Sequence, residues 1–213
     1  MKTSKFEQRS IVQEFRVSEP DQPTTIQGYA AVFDSPGQGY FWTEELDPHC
    51  FDTVLASNPD CRALYNHNAD YVLGRTTAGT LSLSVDARGL SYTINPPDTQ
   101  LANDLMVSMR RKDITGSSFG FVVARDQWTD NPDGTITRRI LEIDQLLDVS
   151  PVTYPAYDAA NSQVRSIPES MPVEFRSRIE QRDNDTEKPA ELVQHEEEQR
   201  LNLLTRIALA EAS

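Results

Sequence analysis

Short stretches with strand-like composition recur between about residue 10 and residue 155, and they limit the folds that this chain can adopt. Each is rich in Val, Ile, Thr, Tyr or Phe, the residues that pack well on pleated surfaces. The predicted strands are Ile11–Val17, Ile26–Phe33, Tyr71–Arg75, Thr80–Val85, Leu90–Ile94, Thr115–Ala124, Thr135–Ile143 and Gln145–Thr153. The pattern predicts a mainly β domain of the α+β class.

Turn residues separate these stretches in the way that hairpins require. Asp86–Gly89 and Asn131–Gly134 each divide two predicted strands and end in glycine, which adopts positive φ at little cost.

Helical periodicity within the β-rich region occurs in two segments. Gln100–Lys112 has apolar residues every four positions and follows Asp98 or Thr99 as a cap, and a shorter helix is predicted over Phe51–Ser57.

The composition changes after about Ser162, where Glu, Gln, Arg, Asp, Ser and Pro dominate and aromatic residues are few. Such a segment buries too little apolar surface to offset the cost of ordering the chain. Helical character returns near the end, with Leu201, Leu204 and Ala208 on one narrow stripe. The predicted organisation is therefore a β domain over 1–160, a polar, flexible linker over 161–185 and an amphipathic C-terminal helix over 186–213. The narrow apolar stripe of this helix suggests self-association or binding to another protein.

The chain carries 20 Lys and Arg against 33 Asp and Glu, a formal net charge of −13. This charge repels phosphate backbones and anionic lipids, so no nucleic-acid or membrane partner is expected despite the local basic run at 110–112. The first residues lack the apolar stretch of a secretion signal, and no segment has the composition of a membrane helix. We therefore expect a soluble protein of the cytoplasm.

Cysteine and histidine are scarce. Cys50 and Cys61 are too few for a disulfide framework and are predicted to be small buried hydrophobic residues. The histidines at positions 49, 67 and 195 share no spacing with these cysteines that resembles a zinc site. The sequence predicts no metal and no cofactor.

The stretch GSSFGF, residues 116–121, contains two adjacent serines on a predicted strand. Because side chains alternate along a strand, Ser117 falls on the face of Phe119 and Phe121, which must be the core face. Ser118 falls on the opposite face beside Gly120, where the missing side chain leaves a gap that another backbone could enter. Ser118 is thus the better candidate for chemistry, and an extended peptide could lie along its strand.

Two further polar residues lie where ordinary packing does not explain them. Asp148 is a carboxylate within an apolar strand, on the face opposite Leu147, and His67 interrupts an apolar segment between two asparagines. A hydroxyl, an imidazole and a carboxylate together make serine nucleophilic. A structural interpretation is equally simple: edge-strand serines, a loop histidine and an Asp148 that pairs with Arg138 or Arg139.

The order of these pieces resembles the prohead, or capsid maturation, serine protease family of tailed bacteriophages. The matching segments are Gly28–Asp34, Tyr65–Asn68, Leu73–Thr76, Gly116–Phe121 and Leu147–Tyr157, and together they span about residues 26 to 160. The resemblance implies that His67 is the base and Ser118 the nucleophile. Asp148 stands where the family has the acidic residue of a Leu-Glu-Val-Ser-like motif, one methylene shorter. His49 has no counterpart and is a minor candidate for a third triad member.

The resemblance also implies a fold and a biological role. The fold would be similar to herpesvirus assemblin, a small closed β-barrel with a few helices packed around it. The activity would be that of a serine endopeptidase that cleaves a scaffold protein, or the scaffold region of the major capsid protein, and itself. It would act in the bacterial host cytoplasm, inside the immature phage capsid.

Two other functions are compatible with the sequence. A non-catalytic capsid-assembly module, with a structural barrel and a recruiting tail helix, would tolerate loss of a triad residue, and none is lost. An esterase-like hydrolase would need a nucleophile elbow. The string Gly116-Ser-Ser118-Phe-Gly120 has that spacing but lies within a strand pattern.

Overall fold

The computed structural model describes residues 6–13, 15–18, 23–33, 37–38, 42–155 and 168–186. The strands in chain order are β1 (Phe6–Val12), β2 (Arg16–Val17), β3 (Ile26–Val32), β4 (Gly37–Gln38), β5 (Thr43–Leu46), β6 (Arg62–Tyr65), β7 (Asn68–Arg75), β8 (Leu81–Val85), β9 (Gly89–Ile94), β10 (Gly116–Asp130) and β11 (Ile136–Val152). The helices are α1 (Asp52–Ala56), α2 (Gln100–Arg110) and α3 (Val173–Thr186), and a short 3-10 helix spans Thr76–Ala78. The protein is mainly β with few helices, as predicted.

The described strands form two sheets. The larger follows the order β1-β10-β11-β5-β4, and β6 also pairs with β11 and carries β7 on its other side. The smaller follows the order β2-β3-β9-β8. Strand β11 pairs with β10 along most of its length but with two short parallel strands at separate places, so the larger sheet branches there. The prediction of one closed barrel is therefore wrong for the described residues.

The core contains residues from both sheets and from α1 and α2. Phe119 and Phe121 stack with ring centroids 4.5 Å apart, and Phe51 from the segment before α1 packs edge-on against Phe119 at 5.8 Å. Leu90 and Ile94 from the smaller sheet are fully buried in the same cluster. The predicted apolar face of the serine-bearing strand is confirmed as a core face.

The two helices predicted within the β domain are present and slightly shorter than predicted. The α2 helix begins after Thr99, whose hydroxyl accepts a hydrogen bond from the Ala102 amide, so Thr99 rather than Asp98 is the cap. It ends at Arg110, before Lys112 adopts a positive φ of 64°. Its buried residues are Ala102, Leu105, Met106 and Met109.

The strand predictions differ from the structure in specific places. The stretches predicted as Thr135–Ile143 and Gln145–Thr153 form one strand, β11, and register irregularities between Gly120 and Asp126 on β10 accommodate the uneven pairing. The sequence patterns did not identify β4, β5 and β6, which are only two to four residues long. The hairpin turns at 86–89 and 131–134 are confirmed.

The chain divides into two compact units, Met1–Ser170 and Met171–Ser213. In the second unit, α3 occupies part of the segment 161–185 that composition predicted to be a linker. Phe175 and Ile179 lie four residues apart on this helix and are buried, an apolar pair that the polar composition obscured. The segment predicted as a linker thus contains the helix Val173–Thr186, while 161–167 and the predicted helix beyond Thr186 lie outside the described residues. The division of the chain into a β domain, a linker and a C-terminal helix stays a prediction.

Candidate active site

Strand β10 directs its two successive serines to opposite faces. Ser117 is fully buried on the face of Phe119, and its hydroxyl lies 3.1 Å from the phenol oxygen of Tyr92. Ser118 faces the other way, on the side of Gly120. The strand period thus distinguishes the two serines as predicted, because Ser117 is bonded into the core and Ser118 is directed toward other polar groups.

His67 lies in the tight turn between β6 and β7. Asn66 and His67 have φ values of 54° and 55°, the left-handed conformation that both loop residues of a two-residue type I′ hairpin require. The side chain of Asn66 anchors this turn, since its carbonyl accepts from the Thr153 amide at 2.8 Å and its amide donates to the Thr153 hydroxyl at 3.2 Å. The main-chain N–H of Asn66 also donates to the main-chain carbonyl of Pro151 at 2.9 Å. The turn is therefore fixed to the end of β11.

Strand β11 presents the carboxylate to the same location. Asp148 pairs directly with Gly120 across the β10–β11 ladder, and Ser150 pairs with Ser118. Directly paired residues share a face of the sheet, so these four positions form one patch. The patch is the place at which the His67 turn meets the large sheet.

The imidazole of His67 joins the hydroxyl of Ser118 to the carboxylate of Asp148. Its Nε2 lies 2.6 Å from Ser118 Oγ, and its Nδ1 lies 2.6 Å from Asp148 Oδ1. Ser118 is fully buried, Asp148 is 6% exposed, and the His67 side chain is 17% exposed. This arrangement allows the imidazole to accept the Ser118 proton at Nε2 while the carboxylate holds the proton on Nδ1.

The absence of a side chain at Gly120 makes room for the carboxylate. A Cβ at this position would lie 2.3 Å from Asp148 Oδ2 and 2.7 Å from the ring of Phe6. We predicted that another backbone approaches Ser118 through this gap. The prediction is wrong about the gap, which side chains from the two neighbouring strands occupy, but a backbone does approach Ser118, since the Arg9 carbonyl lies 2.8 Å from its hydroxyl.

Strands cover both edges of β10 beside Ser118. In the ladders, Ser10 of β1 pairs with Ser118 on one side and Ser150 of β11 pairs with it on the other. The main-chain carbonyl of Arg9 also accepts a hydrogen bond from the Ser118 hydroxyl at 2.8 Å. The predicted addition of an extended peptide directly to this strand is therefore wrong for the described arrangement.

The alternative structural partners of Asp148 are engaged elsewhere. Arg139 pairs with Asp47 at 2.8 Å. Arg138 pairs with three carboxylates, those of Glu7, Glu44 and Asp126. The interpretation of Asp148 as a partner for Arg138 or Arg139 is therefore wrong.

The other histidines do not contribute to the described site. His49 is 82% exposed and pairs with Asp52 three residues later, so it is not the third member of the triad. His195 lies outside the described residues.

The string from Gly116 to Gly120 lies inside β10, which continues as a strand beyond it. It therefore does not form the strand-to-helix turn of a nucleophile elbow.

A buried ionic cluster next to the site was not predicted from the sequence. The guanidinium of Arg9 pairs with Glu44 and Glu7, and Glu44 also pairs with Arg138, which is only 1% exposed. Burial alone would raise the pKa of Glu44, but Arg9 and Arg138 lower it below its usual value. The cluster joins β1 to β5 and β11. Its members are widely separated in sequence. The one sequence feature that could have predicted the cluster is a charged residue on the inward face of a strand.

The two cysteines are buried and free, as predicted. Burial raises the pKa of the Cys50 thiol and of the Cys61 thiol to about 12. Neither therefore supplies a thiolate nucleophile near neutral pH.

Within the described ranges, no group of His, Cys, Asp and Glu side chains has the arrangement of a metal site. No described helix is long and apolar enough to cross a membrane.

Two sequence comparisons with known proteins indicate one family. A sequence profile described as caudovirus prohead serine protease matches residues 13–172. The prohead protease of Enterobacteria phage HK97 is 31% identical over 141 residues, which cover 63% of this chain and 57% of that protein. The chain thus matches a little over half of this relative's length. The solved structure of the bacteriophage T4 capsid assembly protease, gp21, covers 69% of this chain and 96% of its own with 10% identity and a TM-score of 0.48.

Proposed function

Because the chain belongs to the caudovirus prohead serine protease family, we propose that it is a serine endopeptidase that acts in maturation of a phage prohead. The observation that carries the proposal is the hydrogen-bond chain from Ser118 through His67 to Asp148, with 2.6 Å at each step. These groups come from three different strand regions, and each has the chemical type that its role requires.

The proposed reaction proceeds through an acyl-enzyme. Ser118 Oγ attacks the carbonyl carbon of the scissile peptide bond and its proton passes to Nε2 of His67. His67 then gives this proton to the departing amine as the carbon–nitrogen bond breaks. A water molecule, deprotonated by the same imidazole, hydrolyses the ester and restores Ser118. Asp148 holds the Nδ1 proton and stabilises the imidazolium that forms in each step.

Access to Ser118 requires a movement of the chain. Its side chain is fully buried, and the Arg9 carbonyl accepts a hydrogen bond from the same hydroxyl. The hydroxyl has one proton, so the Arg9 carbonyl competes with Nε2 of His67 for it, and a substrate carbonyl carbon can reach Oγ only when the chain around Arg9 moves aside. Such gating movements are common where an active site must be closed to water.

The proposed substrates are a scaffold protein, or the scaffold region of the major capsid protein, and the protease itself. Self-cleavage would fall in polar segments outside the β domain, where proteolysis concentrates. The reaction would take place inside the immature capsid, in the cytoplasm of the bacterial host. Cleavage there would remove the scaffold before the head is completed.

A non-catalytic assembly module is the alternative function. Such a module has no need for an intact nucleophile, base and carboxylate in mutual contact. The short distances among Ser118, His67 and Asp148 therefore favour the protease.

The test is co-expression of the chain with its cognate capsid and scaffold proteins, followed by gel electrophoresis and mass spectrometry. The wild type should produce processed fragments, and Ser118→Ala should leave every protein at full length. Ser117→Ala is the matched control, because it removes a neighbouring buried hydroxyl that is bonded to Tyr92 instead. It should retain cleavage.

A covalent probe provides an independent measurement. A fluorophosphonate should label the wild type on the peptide that contains residue 118, and neither Ser118→Ala nor His67→Ala should react. Processing by Ser118→Ala would overturn the assignment of Ser118 as the nucleophile. If Ser117→Ala were inactive at the same time, the nucleophile would be Ser117.

A further inference from the structure

Ser150 lies two residues after Asp148 on β11 and is fully buried. Its hydroxyl donates a hydrogen bond to Asp148 Oδ1 at 2.7 Å. This is the same oxygen that lies 2.6 Å from Nδ1 of His67. A single carboxylate oxygen therefore receives one bond from the imidazole and one from the Ser150 hydroxyl.

The other carboxylate oxygen lies in a different environment. Oδ2 occupies the space above Gly120, where a Cβ would be only 2.3 Å away and where the ring of Phe6 lies close by. Contacts with Gly120 and Phe6 thus restrict Oδ2 of the carboxylate, and the Ser150 hydroxyl holds Oδ1. Rotation about its Cβ–Cγ bond would break the Ser150 contact and move Oδ1 out of line with the imidazole.

We propose that Ser150 is a positioning residue of the active site, which holds the Asp148 carboxylate in the orientation that His67 requires. This inference rests on the proposed function. The Ser150 hydroxyl is hydrogen-bonded to Asp148, not to the reacting hydroxyl or the imidazole, so it acts through Asp148. By analogy with groups that orient metal ligands in other active sites, the expected contribution is a factor of about 10 to 100 in rate.

The experiment compares Ser150→Ala with the wild type in cleavage of a peptide that spans a mapped processing site. We expect kcat to fall by about 10- to 100-fold while KM changes little, because the lost interaction stabilises the imidazolium rather than the bound peptide. Ser150→Thr keeps the hydroxyl donor and should recover most of the rate. Ser117→Ala is the control, since it also removes a fully buried serine hydroxyl and should leave kcat near that of the wild type.

A proton NMR signature gives a readout that a merely structural role would not move. The proton on Nδ1 of His67 should resonate at low field when it is donated to Asp148, and this signal should weaken or shift in Ser150→Ala but not in Ser117→Ala. If Ser150→Ala does not fold, Ser150→Cys provides the same comparison, because a thiol has similar volume and is a weak donor.

The outcomes separate this inference from the proposed function. Wild-type kcat and an unchanged NMR signal in folded Ser150→Ala, with Ser118→Ala inactive, would overturn the positioning role alone. Equal loss of kcat in folded Ser150→Ala and Ser150→Thr would also overturn it, because the hydroxyl would then be irrelevant. Full activity in Ser118→Ala would instead overturn the proposed function itself.

Discussion

The carboxylate of Asp148 occupies the space that a side chain at position 120 would need. The two residues pair directly across β10 and β11, and an added Cβ at Gly120 would lie 2.3 Å from Asp148 Oδ2. Real Cβ atoms do not approach an oxygen this closely, so only glycine allows the carboxylate its observed position. The glycine of the Phe-Gly-Phe pattern is therefore a component of the site.

Gly120→Ala should reduce cleavage at least as strongly as Ser150→Ala, because the new methyl group displaces the carboxylate from His67. Overpacking should also lower the free energy of unfolding by about 1–3 kcal/mol. The measurements are peptide cleavage and chemical denaturation. Gly134→Ala is the control: its φ of 82° makes it destabilising, but no atom beyond its two chain neighbours lies within 4 Å of the added Cβ. It should lose stability and keep activity, whereas normal cleavage by Gly120→Ala would contradict the account.

The left-handed conformation of His67 predicts a conflict between activity and stability. His67→Gly and His67→Ala should both be inactive, since each lacks the base. The glycine variant should be the more stable of the two by about 1 kcal/mol, because glycine adopts a φ of 55° without a Cβ clash. Thermal and urea unfolding of the two variants would measure the difference. An alanine variant as stable as the glycine variant would show that the turn carries no such strain.

The ionic cluster predicts how stability depends on pH. The pKa of Glu44 is lowered in the folded protein, so its ionised form stabilises the fold at pH values above its ordinary pKa near 4.5. That contribution is lost as the pH falls through the lower, folded-state pKa. Glu44→Gln should therefore flatten the acid side of the stability profile. It should also cost about 3–5 kcal/mol at neutral pH, since Arg9 and Arg138 lose a buried partner.

Urea unfolding between pH 3 and pH 7 would measure this dependence. Glu45→Gln is the matched control, because Glu45 is adjacent in sequence but exposed. It should leave the profile close to that of the wild type. A Glu44→Gln profile parallel to that of the wild type would exclude Glu44 as the source of the acid sensitivity.

Thiol reagents should not affect the proposed protease activity. Burial raises the pKa of Cys50 and Cys61 to about 12, so neither thiol ionises appreciably at pH 7 to 8. Iodoacetamide should leave cleavage intact and modify both residues only after denaturation, as intact-mass spectrometry would show. Rapid inactivation by iodoacetamide of the folded protein would indicate an accessible cysteine that the structure does not have.

Much of the candidate site was predictable because its evidence is local. The two-residue period of a strand assigned Ser118 and Ser117 to opposite faces, and the order of the motifs identified His67 and Asp148. The structure brings these three side chains together, while their catalytic roles and the likeness to herpesvirus assemblin stay predictions. In the fold, turn residues located the hairpins, but the short strands β4 to β6 have too few residues to carry a periodic signal.

The amino-acid sequence by itself determined which way each side chain points along its own strand and where the chain turns, because these properties depend on neighbours a few residues away. The tertiary structure decided what meets across the sheets: the imidazole reaches a hydroxyl 51 residues away and a carboxylate 81 residues away. It also decided the branching of the large sheet and the burial of Arg9, Glu44 and Arg138 together. Such contacts depend on the register and packing of distant strands, which no local pattern encodes.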